Sequence, residues 1–367
     1  MYIQHYNIVT PLGFDIASTA HSVLRELSGI ARYPMYGQLS NVCLSKIGDG
    51  TLNAKFKQIL NEEGYSRLEK MLLLALYPIL NKIKITPHTA LILSTTKGNI
   101  SSLSTPSYTL PYLSVLAQKI ADTIGLTTTP IVVSNACVSG AMALSLAQRL
   151  LLSGSYDSAL VMAGDEISEF VLSGFQSFQA MSSSPCKPYD ASRDGITLGE
   201  ATAVAFLTTD PKEAKAQLLG SASINDANHI SGPSRSGEGL YLSIQKALEE
   251  ANVSPQQINL INAHGTGTIY NDEMESIAFM RANMLATPLN SYKGYFGHTL
   301  GTAGLLETIL SIELAHHKTL LKSLHYETLG VSHPINVLRE TQYKKVQYIL
   351  KTASGFGGSN TALVIKI

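Results

Sequence analysis

The stretch Pro130–Gly140, PIVVSNACVSG, is an apolar run that ends in a cysteine. The β-branched residues Ile131–Val133 follow a proline and predict a buried strand, and the pattern AMALSLAQRLL after Gly140 predicts a helix. Cys137 therefore lies at a strand-to-helix turn, where unpaired N–H groups and the helix dipole favour a negative charge. We expect a thiolate with a lowered pKa, which makes Cys137 a candidate nucleophile. The alternative is an inert buried cysteine, since free cysteines are commonly buried.

Composition excludes several classes of function. The 367 residues contain 27 basic and 27 acidic side chains, so no overall charge favours nucleic acid or an anionic membrane surface. Cys43, Cys137 and Cys186 form no CxxC pair, which argues against a disulfide framework or structural zinc and indicates a reducing compartment. The first residues do not resemble a signal peptide, and Pro78 interrupts the longest apolar run, Met71–Leu80. We expect a cytoplasmic protein without a membrane span.

Strand and helix patterns alternate along the chain, which predicts an α/β fold with a parallel sheet buried on both faces. The predicted helices are Ile16–Leu27, Ser66–Leu80, Leu113–Ile124, Glu238–Asn252, Asn271–Met284 capped by Asn271, and an amphipathic Leu305–His316. Further strands are predicted at Thr89–Thr95, Ser158–Ala163, Gly199–Asp210, Ala216–Ser223, Ile258–Asn262, Lys345–Lys351 and Asn360–Ile367. Residues 31–64 and 173–195 are expected to be mostly loop.

A short internal similarity indicates a duplication. Gly199–Phe206, GEATAVAF, resembles Gly358–Ile365, GSNTALVI, because each places a glycine before a strand of small and β-branched residues. Such repeats indicate a duplicated architecture. We therefore predict two halves, residues 1–210 and 211–367, with a boundary near Asp210–Lys215.

Four glycine-containing turns carry the polar chemistry. They are NACVSG with Cys137, AHGTGT with His264, KGYFGH with Lys293 and His298, and SGFGGS with Phe356. Turns at the ends of rigid elements expose side chains and N–H groups to a shared cleft. A zinc site is the competing use of one cysteine and two histidines. Because no HExxH or similar close pairing occurs, we expect no metal.

In their order, these motifs resemble the elongating β-ketoacyl-[acyl carrier protein] synthases, condensing enzymes of the thiolase-like superfamily. The family pattern is a nucleophilic cysteine, RDG…LGE, DAxHxT/S, HGTxTxxND, KxxxGHTLGAAG and GFGGxN. The matching segments in this chain are Cys137, Arg193–Gly195 with Leu198–Glu200, Asp226–Ser231, His264–Asp272, Lys293–Gly304 and Gly355–Asn360. The resemblance implies a thiolase-like five-layered α/β/α/β/α fold built from two duplicated halves, the first carrying the cysteine and the second both histidines and the GFGG loop.

The resemblance also implies a 3-oxoacyl-[acyl carrier protein] synthase, an acyltransferase of fatty acid or polyene/polyketide-type synthesis. Cys137 would accept an acyl group from the phosphopantetheine thioester of a carrier protein. The backbone N–H groups of Cys137 and Phe356 would form the oxyanion hole, and the ring of Phe356 would act as a gate. His264 and His298 would donate hydrogen bonds to the malonyl thioester oxygen, stabilising the enolate formed as carbon dioxide leaves. No bound cofactor is expected.

Other residues take supporting roles in the resemblance. Lys293 would hold the hydrogen-bond network of the histidines with Glu307 as its partner, and Thr266 and Thr268 would contact the malonyl carboxylate. Without the resemblance, Lys293 reads equally as a surface cation, Glu307 as an ordinary helix carboxylate and Phe356 as a core ring. Ser354 departs from the family because a phenylalanine is common at this position, and the chain is shorter than typical members. These departures suggest a specialised synthase.

Three other functions are compatible with parts of this pattern. A non-catalytic chain-length factor would share the fold but usually lacks the active cysteine, a degradative thiolase would carry a second cysteine in a C-terminal CxG motif, and a starter-type synthase would use Cys-His-Asn. The expected partners are an acidic acyl carrier protein and either a second copy of the chain or a chain-length factor, with the apolar strand region around Cys137 as interface. Arg67 and Lys70 are candidates for carrier docking, or equally a solvated helix face.

Overall fold

The computed structural model describes residues 1–60, 63–104, 111–227 and 230–367. Its helices are α1 Ile16–Leu24, α2 Asp49–Ile59, α3 Arg67–Leu80, α4 Leu113–Thr123, α5 Ser139–Leu152, α6 Glu169–Ser177, α7 Glu238–Ala251, α8 Ile269–Arg281, α9 Lys293–Phe296 and α10 Ala303–His316. Its strands are β1 Tyr2–Val9, β2 Ile30–Tyr36, β3 Leu39–Ser45, β4 Thr89–Ser94, β5 Ile131–Val133, β6 Ser158–Asp165, β7 Leu198–Gly199, β8 Ala201–Thr208, β9 Ala216–Asn225, β10 Leu260–Asn262, β11 Leu289–Asn290, β12 Thr319–Leu320, β13 Gln342–Tyr343, β14 Tyr348–Gly355 and β15 Ser359–Lys366.

One ten-stranded sheet has the order β11-β10-β14-β15-β9-β1-β8-β6-β4-β5. Its central join is weak, because β1 and β9 share only the pairs Tyr2–Gln217 and Ile3–Ala216. The join therefore divides the sheet into two five-stranded halves. Outward from the join, the first half has the order β1-β8-β6-β4-β5 and the second half has β9-β15-β14-β10-β11. If the five strands of each half are numbered along the chain, both orders are first, fifth, fourth, second and third. This repeated topology confirms the predicted duplication.

The similar segments found in the sequence take equivalent places in the two halves. β8, which carries most of GEATAVAF, and β15, which carries GSNTALVI, each pair beside the strand at the central join. The connection from β8 to β9 contains residues 209–215. The predicted boundary at 210/211 lies in this connection and stays a prediction.

The protein has five layers, with the largest hydrophobic core on both sides of the central helices and one further core beneath each outer pair of helices. Helices α5 and α10 pack against each other and against strands of both half-sheets, in the largest core. α3 and α4 cover the outer face of the first half-sheet, and α7 and α8 cover that of the second. The expected α/β/α/β/α arrangement is therefore confirmed. At the centre, a Cβ on Gly304 would lie 2.3 Å from the backbone nitrogen of Ala141, so the two central helices touch backbone to backbone.

Several expectations about individual elements are wrong. The sheet is mixed and not wholly parallel. After β6 the chain passes through α6 and the following loop and re-enters the sheet at the end where β6 finished. β8 therefore runs antiparallel to β6, and Asp165 pairs with Ala201. α10 is buried on nearly all sides, as a helix in a central layer must be, and is not amphipathic. α8 begins at Ile269 with Thr268 as its N-cap, two residues before the predicted start.

Residues 31–64, predicted as loop, contain a β2–β3 hairpin and α2. β2 has no buried residue, and β3 is buried only at its last three, Cys43–Ser45, so neither strand shows the apolar alternation that marks a half-buried strand. Residues 173–195 likewise begin inside α6, whose N-cap is Ser168.

Two features of the surface concern partners. β5 ends the sheet order with three half-buried residues, and no strand of the described ranges pairs with its outer edge. A search of the described ranges finds no helix of the length and apolarity that crossing a bilayer requires.

Candidate active site

The nucleophile turn connects β5 to α5. Ala136 has a φ of +43°, a left-handed conformation that side chains other than glycine seldom adopt. The hydroxyl of Ser139 accepts the N–H of Asn135 at 2.7 Å and donates to the carbonyl of Ala136 at 2.6 Å, which fixes the turn. Cys137 follows with 7% of its surface exposed. Strain of this kind concentrates at functional sites, which supports a function for the turn.

The structure brings Cys137, His264 and His298 together. The sulfur of Cys137 and one ring nitrogen of each histidine lie within 4.8 Å of one another. The histidine rings stand edge to face, with centroids 5.1 Å apart. Three residues separated by up to 161 positions in the chain thus form one Cys-His-His cluster, as the sequence predicts. The expectation that this cluster works without a metal stays a prediction.

The electrostatics of Cys137 differ from the sequence prediction. Burial raises the pKa of its thiol to about 12, although the charges of Lys293 and Lys97 and the N–H of Phe356 act in the opposite direction. The expected lowering is wrong because loss of water outweighs the helix terminus. Before a substrate binds, the thiol is protonated.

Both histidines are neutral. Burial, reinforced by the charges of Lys293 and Lys351, holds the pKa of His264 and of His298 well below the usual range. A neutral imidazole donates from one nitrogen and accepts at the other. Nδ1 of His298 has no hydrogen-bond partner among the described residues, which leaves this buried polar atom for a substrate or solvent to satisfy.

Beneath the histidines lies a buried charge cluster. Lys293 is fully buried and donates to Oε1 of Glu307 at 2.8 Å and to the carbonyl oxygen of His264 at 2.5 Å. Lys351, also fully buried, binds the other oxygen of Glu307. Lys293 is therefore not a surface cation, and Glu307 is not an ordinary exposed helix carboxylate.

Sequence reasoning missed Lys351. The signal was present, since a lysine inside the apolar run YILKTAS of a central strand requires a buried partner. It carried no motif, so nothing in the pattern identified that partner as Glu307.

The HGTGT loop is held by two carboxylates from the first turns of α8. Glu275 accepts the N–H groups of His264 at 2.9 Å and Gly265 at 2.7 Å, and Asp272 accepts that of Thr266 at 2.9 Å. Burial and the charge of Glu275 raise the pKa of Asp272 to about 6. The loop is therefore fixed by its own following helix, which explains why HGTxTxxND is one continuous motif.

Thr266 and Thr268 face each other within this loop. Their hydroxyl oxygens are 2.9 Å apart, and that of Thr268 also accepts the N–H of Asn271 as the cap of α8. Both threonines line the same cavity as Cys137. Their contact with a malonyl carboxylate stays a prediction.

The GFGGSN loop approaches the nucleophile from the second half. The backbone N–H of Phe356 lies close enough to the Cys137 thiol to act against the rise of its pKa, and a Cβ on Gly355 would lie 3.1 Å from the backbone nitrogen of Cys137. Ser354, at the position where the family commonly has phenylalanine, donates to Asn360 at 2.8 Å and so closes the loop on itself. Two backbone N–H groups can thus meet at one point beside the sulfur.

The ring of Phe356 is half-buried at the mouth of the cavity. It stacks on Phe175 and meets Phe178 edge-on, with centroids 5.5 Å apart in both cases. The cavity has a volume of about 340 Å³, and Cys137, both histidines and Phe356 line it. Phe356 is therefore not a core ring, and its role as a gate stays a prediction.

The proposed docking residues are engaged in intramolecular contacts. Arg67 binds both oxygens of the buried Glu200, at 2.9 and 2.6 Å, and also Asp49 at 2.7 Å. Lys70 donates to Asn53 at 2.8 Å and is half-buried. Their role in carrier docking stays a prediction, although the charge of Arg67 is already balanced.

The remaining motifs support the loops. Asp226 accepts from Gly239 at 2.8 Å and from the Asn360 amide at 3.1 Å, and Arg193 donates to the carbonyl of Gly330 at 2.6 Å. Residues 228 and 229 of the DAxHxT/S motif, Asn228 and His229, lie outside the described residues.

Comparison with known proteins identifies the family. Residues 7–213 match the model of the β-ketoacyl synthase N-terminal domain, and residues 194–327 match that of the C-terminal domain. A protein of Streptomyces halstedii named as a polyketide β-ketoacyl synthase 1 is 32% identical over 270 residues, 69% of this chain and 64% of that protein. The 3-oxoacyl-[acyl-carrier-protein] synthase 2 of Rhizobium meliloti is 33% identical over 253 residues, 64% of this chain and 60% of that protein. The matched region thus spans less than two thirds of these two relatives.

Solved structures agree with the fold. A chain from the complex of a ketosynthase with its chain length factor, from Xenorhabdus doucetiae, superposes with a TM-score of 0.86 at 28% identity, covering 100% of this chain and 97% of that one. A β-ketoacyl synthase from Burkholderia phymatum has the same fold, with a TM-score of 0.85 at 22% identity over 100% and 98% of the two chains. From the family models and the Cys-His-His cluster together, we conclude that the chain belongs to the β-ketoacyl synthase family.

Proposed function

We propose that the chain is a 3-oxoacyl-[acyl carrier protein] synthase, which joins an acyl chain to malonyl-carrier protein by decarboxylative Claisen condensation. The observation that carries the proposal is the cavity in which a thiol, two neutral histidines and the N–H of Phe356 converge. The relatives named as 3-oxoacyl-[acyl-carrier-protein] synthases support it.

In the first step, the sulfur of Cys137 attacks the thioester carbonyl of an acyl carrier protein. A bond forms between Cys137 and the acyl carbon, the bond to the pantetheine sulfur breaks, and the carrier thiol leaves with the cysteine proton. The N–H groups of Cys137 and Phe356 stabilise the tetrahedral oxyanion. Because the resting thiol has a raised pKa, this proton leaves as the substrate arrives and not beforehand.

In the second step, malonyl-carrier protein loses carbon dioxide, and the electrons of the broken bond form an enolate. The enolate carbon attacks the acyl carbon on Cys137, the carbon–sulfur bond breaks, and the released thiolate takes up a proton. His264 and His298 donate to the enolate oxygen, where charge develops only during the reaction. Thr266 and Thr268 hold the departing carboxylate before it leaves.

The partners belong to the same proposal. We propose a carrier protein that delivers both substrates, and a dimer that forms across the open edge of β5, because an unpaired strand edge favours pairing with another chain. The partner is a second copy of this chain or a chain-length factor. The complex from Xenorhabdus doucetiae supports the second arrangement. A cytoplasmic location and a specialised secondary pathway stay predictions, the latter supported by the relatives named as polyketide synthases.

A non-catalytic chain-length factor is the alternative function, since the same complex contains one. The Cys-His-His cluster favours the enzyme. Reconstitution tests the choice: the purified chain is incubated with acyl- and malonyl-carrier proteins, and carbon dioxide and the 3-oxoacyl product are measured. We expect both products in equal amounts. Neither product with any acyl chain length, alone or with a co-expressed partner, would favour the alternative.

A further inference from the structure

The second buried lysine, Lys351, has no role in the mechanism described above. It lies in β14 opposite Asn262 of β10, and β10 is the strand that leads directly to His264. Its side chain is fully buried, and a lysine is seldom buried completely unless it is paired. The burial of this charged side chain between the sheet and α10 therefore indicates a specific role.

Each lysine ammonium group has three protons to donate, and three acceptors lie near its nitrogen. Lys293 directs its three toward Glu307 Oε1 at 2.8 Å, the carbonyl of His264 at 2.5 Å and Nδ1 of His264 at 3.5 Å. Lys351 directs its three toward Glu307 Oε2 and the carbonyls of Asn262 and Ala263, at 3.4 and 3.5 Å. Each lysine thus holds one oxygen of the same carboxylate.

The consequence follows from removing Lys351. Oε2 of Glu307 has no other partner among the described residues, so it would be a buried acceptor without a donor. Lys293 already binds Oε1 of the same carboxylate, and a shift toward Oε2 would draw its Nζ away from Nδ1 of His264. The net charge of the cluster would also fall from +1 to zero beside the place where the enolate forms.

We propose that Lys351 is a positioning residue, which occupies the second oxygen of Glu307, keeps Lys293 directed at His264 and leaves a net positive charge below the reacting centre. The proposal rests on the proposed function for its kinetic consequences but not for its effect on His264. The charged and titratable groups that bear on it are Glu307, Lys293, Glu275, His264 and His298. Burial lowers the pKa of Lys351 to about 8, within reach of a pH profile.

The kinetic test uses Lys351→Met, which keeps the length and removes the charge, with Lys351→Arg as the conservative variant. The control is Lys366→Met at the exposed end of the neighbouring β15. We expect Lys351→Met to slow malonyl decarboxylation by at least about tenfold, less than the loss of a direct donor, and acyl transfer to Cys137 by much less. In the wild type, decarboxylation should decline as pH rises through about 8. In Lys351→Arg this decline should move to higher pH, because arginine stays charged.

A second measurement needs no substrate. Long-range nitrogen–proton NMR of the histidine rings reports which nitrogen of His264 carries the proton, and thermal unfolding reports whether each variant folds. We expect a single Nε2–H tautomer in the wild type, Lys351→Arg and Lys366→Met, and a mixture or a raised pKa of His264 in Lys351→Met. A tautomer and a pKa of His264 that are both unchanged in Lys351→Met, or equal losses in acyl transfer and decarboxylation, would overturn the proposal. If the wild type performs neither reaction, the proposed function fails and the tautomer alone decides the role of Lys351.

Discussion

Nζ of Lys293 lies 3.5 Å from Nδ1 of His264 and 2.5 Å from the carbonyl oxygen of the same residue. An ammonium group has only donors, so Nδ1 must accept and the ring proton is placed on Nε2. One buried lysine thus holds the backbone and favours the Nε2–H tautomer of a histidine 29 positions away in the chain. The proton on Nε2 is the one available to a developing negative charge.

The histidines should matter most for decarboxylation. We expect His264→Ala and His298→Ala each to slow carbon dioxide release from malonyl-carrier protein by about a hundredfold or more, since each removes a donor to the enolate oxygen. Acyl transfer to Cys137 should fall much less, because its oxyanion is bound by backbone N–H groups. His88→Ala, at an exposed histidine, serves as control. Equal losses in both half-reactions would contradict separate roles.

The raised pKa of Cys137 predicts its alkylation behaviour. Because only the thiolate reacts, the rate of modification by iodoacetamide should rise about tenfold per pH unit between pH 7 and 9, without a plateau. Labelling is followed by mass spectrometry, with Cys137→Ala defining the background from Cys43 and Cys186. A plateau below pH 8 would instead support the lowered pKa that the helix terminus alone suggests.

The contact between α5 and α10 predicts an effect on stability. In Gly304→Ala the new methyl group would lie 2.3 Å from the backbone nitrogen of Ala141, which cannot move without shifting α5. We expect the free energy of unfolding to fall by about 1–3 kcal/mol or more. The matched control is Gly50→Ala in α2, where no atom lies within 4 Å of the new methyl group. The higher helix propensity of alanine should raise the free energy of unfolding of this variant by about 0.5–1 kcal/mol. Chemical denaturation of both variants measures the difference. Equal free energies of unfolding in Gly304→Ala and Gly50→Ala would contradict the close backbone contact between α5 and α10.

Substitutions of Arg67 and Lys70 should distinguish a structural role from a role in carrier docking. Arg67→Met leaves the buried carboxylate of Glu200 without its bidentate partner, and we expect a loss of about 3–5 kcal/mol in unfolding free energy. Lys70→Glu should leave stability nearly unchanged. If Lys70 docks an acidic carrier protein, this variant should raise KM for carrier-bound substrate at low salt and less so at high salt. An unchanged KM at low salt would remove Lys70 from the docking surface.

The sequence predicted those parts of the fold and site that depend on local patterns. The turn before α5, the Cys-His-His cluster and the duplicated halves all depend on short motifs or on strands with clear burial. Glycine-rich turns at Cys137, His264 and His298 were recognisable because each combines a polar residue with the small neighbours that a close approach requires.

What the sequence did not predict depends on distant contacts. The hairpin of β2 and β3 lacks apolar alternation because β2 has no buried residue and β3 is buried only at Cys43–Ser45. The pKa of Cys137 depends on burial by both halves, and the importance of Lys351 depends on Glu307, 44 positions earlier. The central position of α10 depends on its contacts with strands of both half-sheets, which the pattern of its own residues does not indicate.

The most direct test of the central claim is intact-protein mass spectrometry of the chain after incubation with an acyl-carrier protein. The account predicts one acyl adduct on the wild type and on the control Cys43→Ala, none on Cys137→Ala, and loss of the adduct with release of carbon dioxide when malonyl-carrier protein is added. An adduct that persists in Cys137→Ala would contradict the assignment of the nucleophile. No adduct on the wild type with any chain length, with or without a co-expressed partner, would contradict the synthase function.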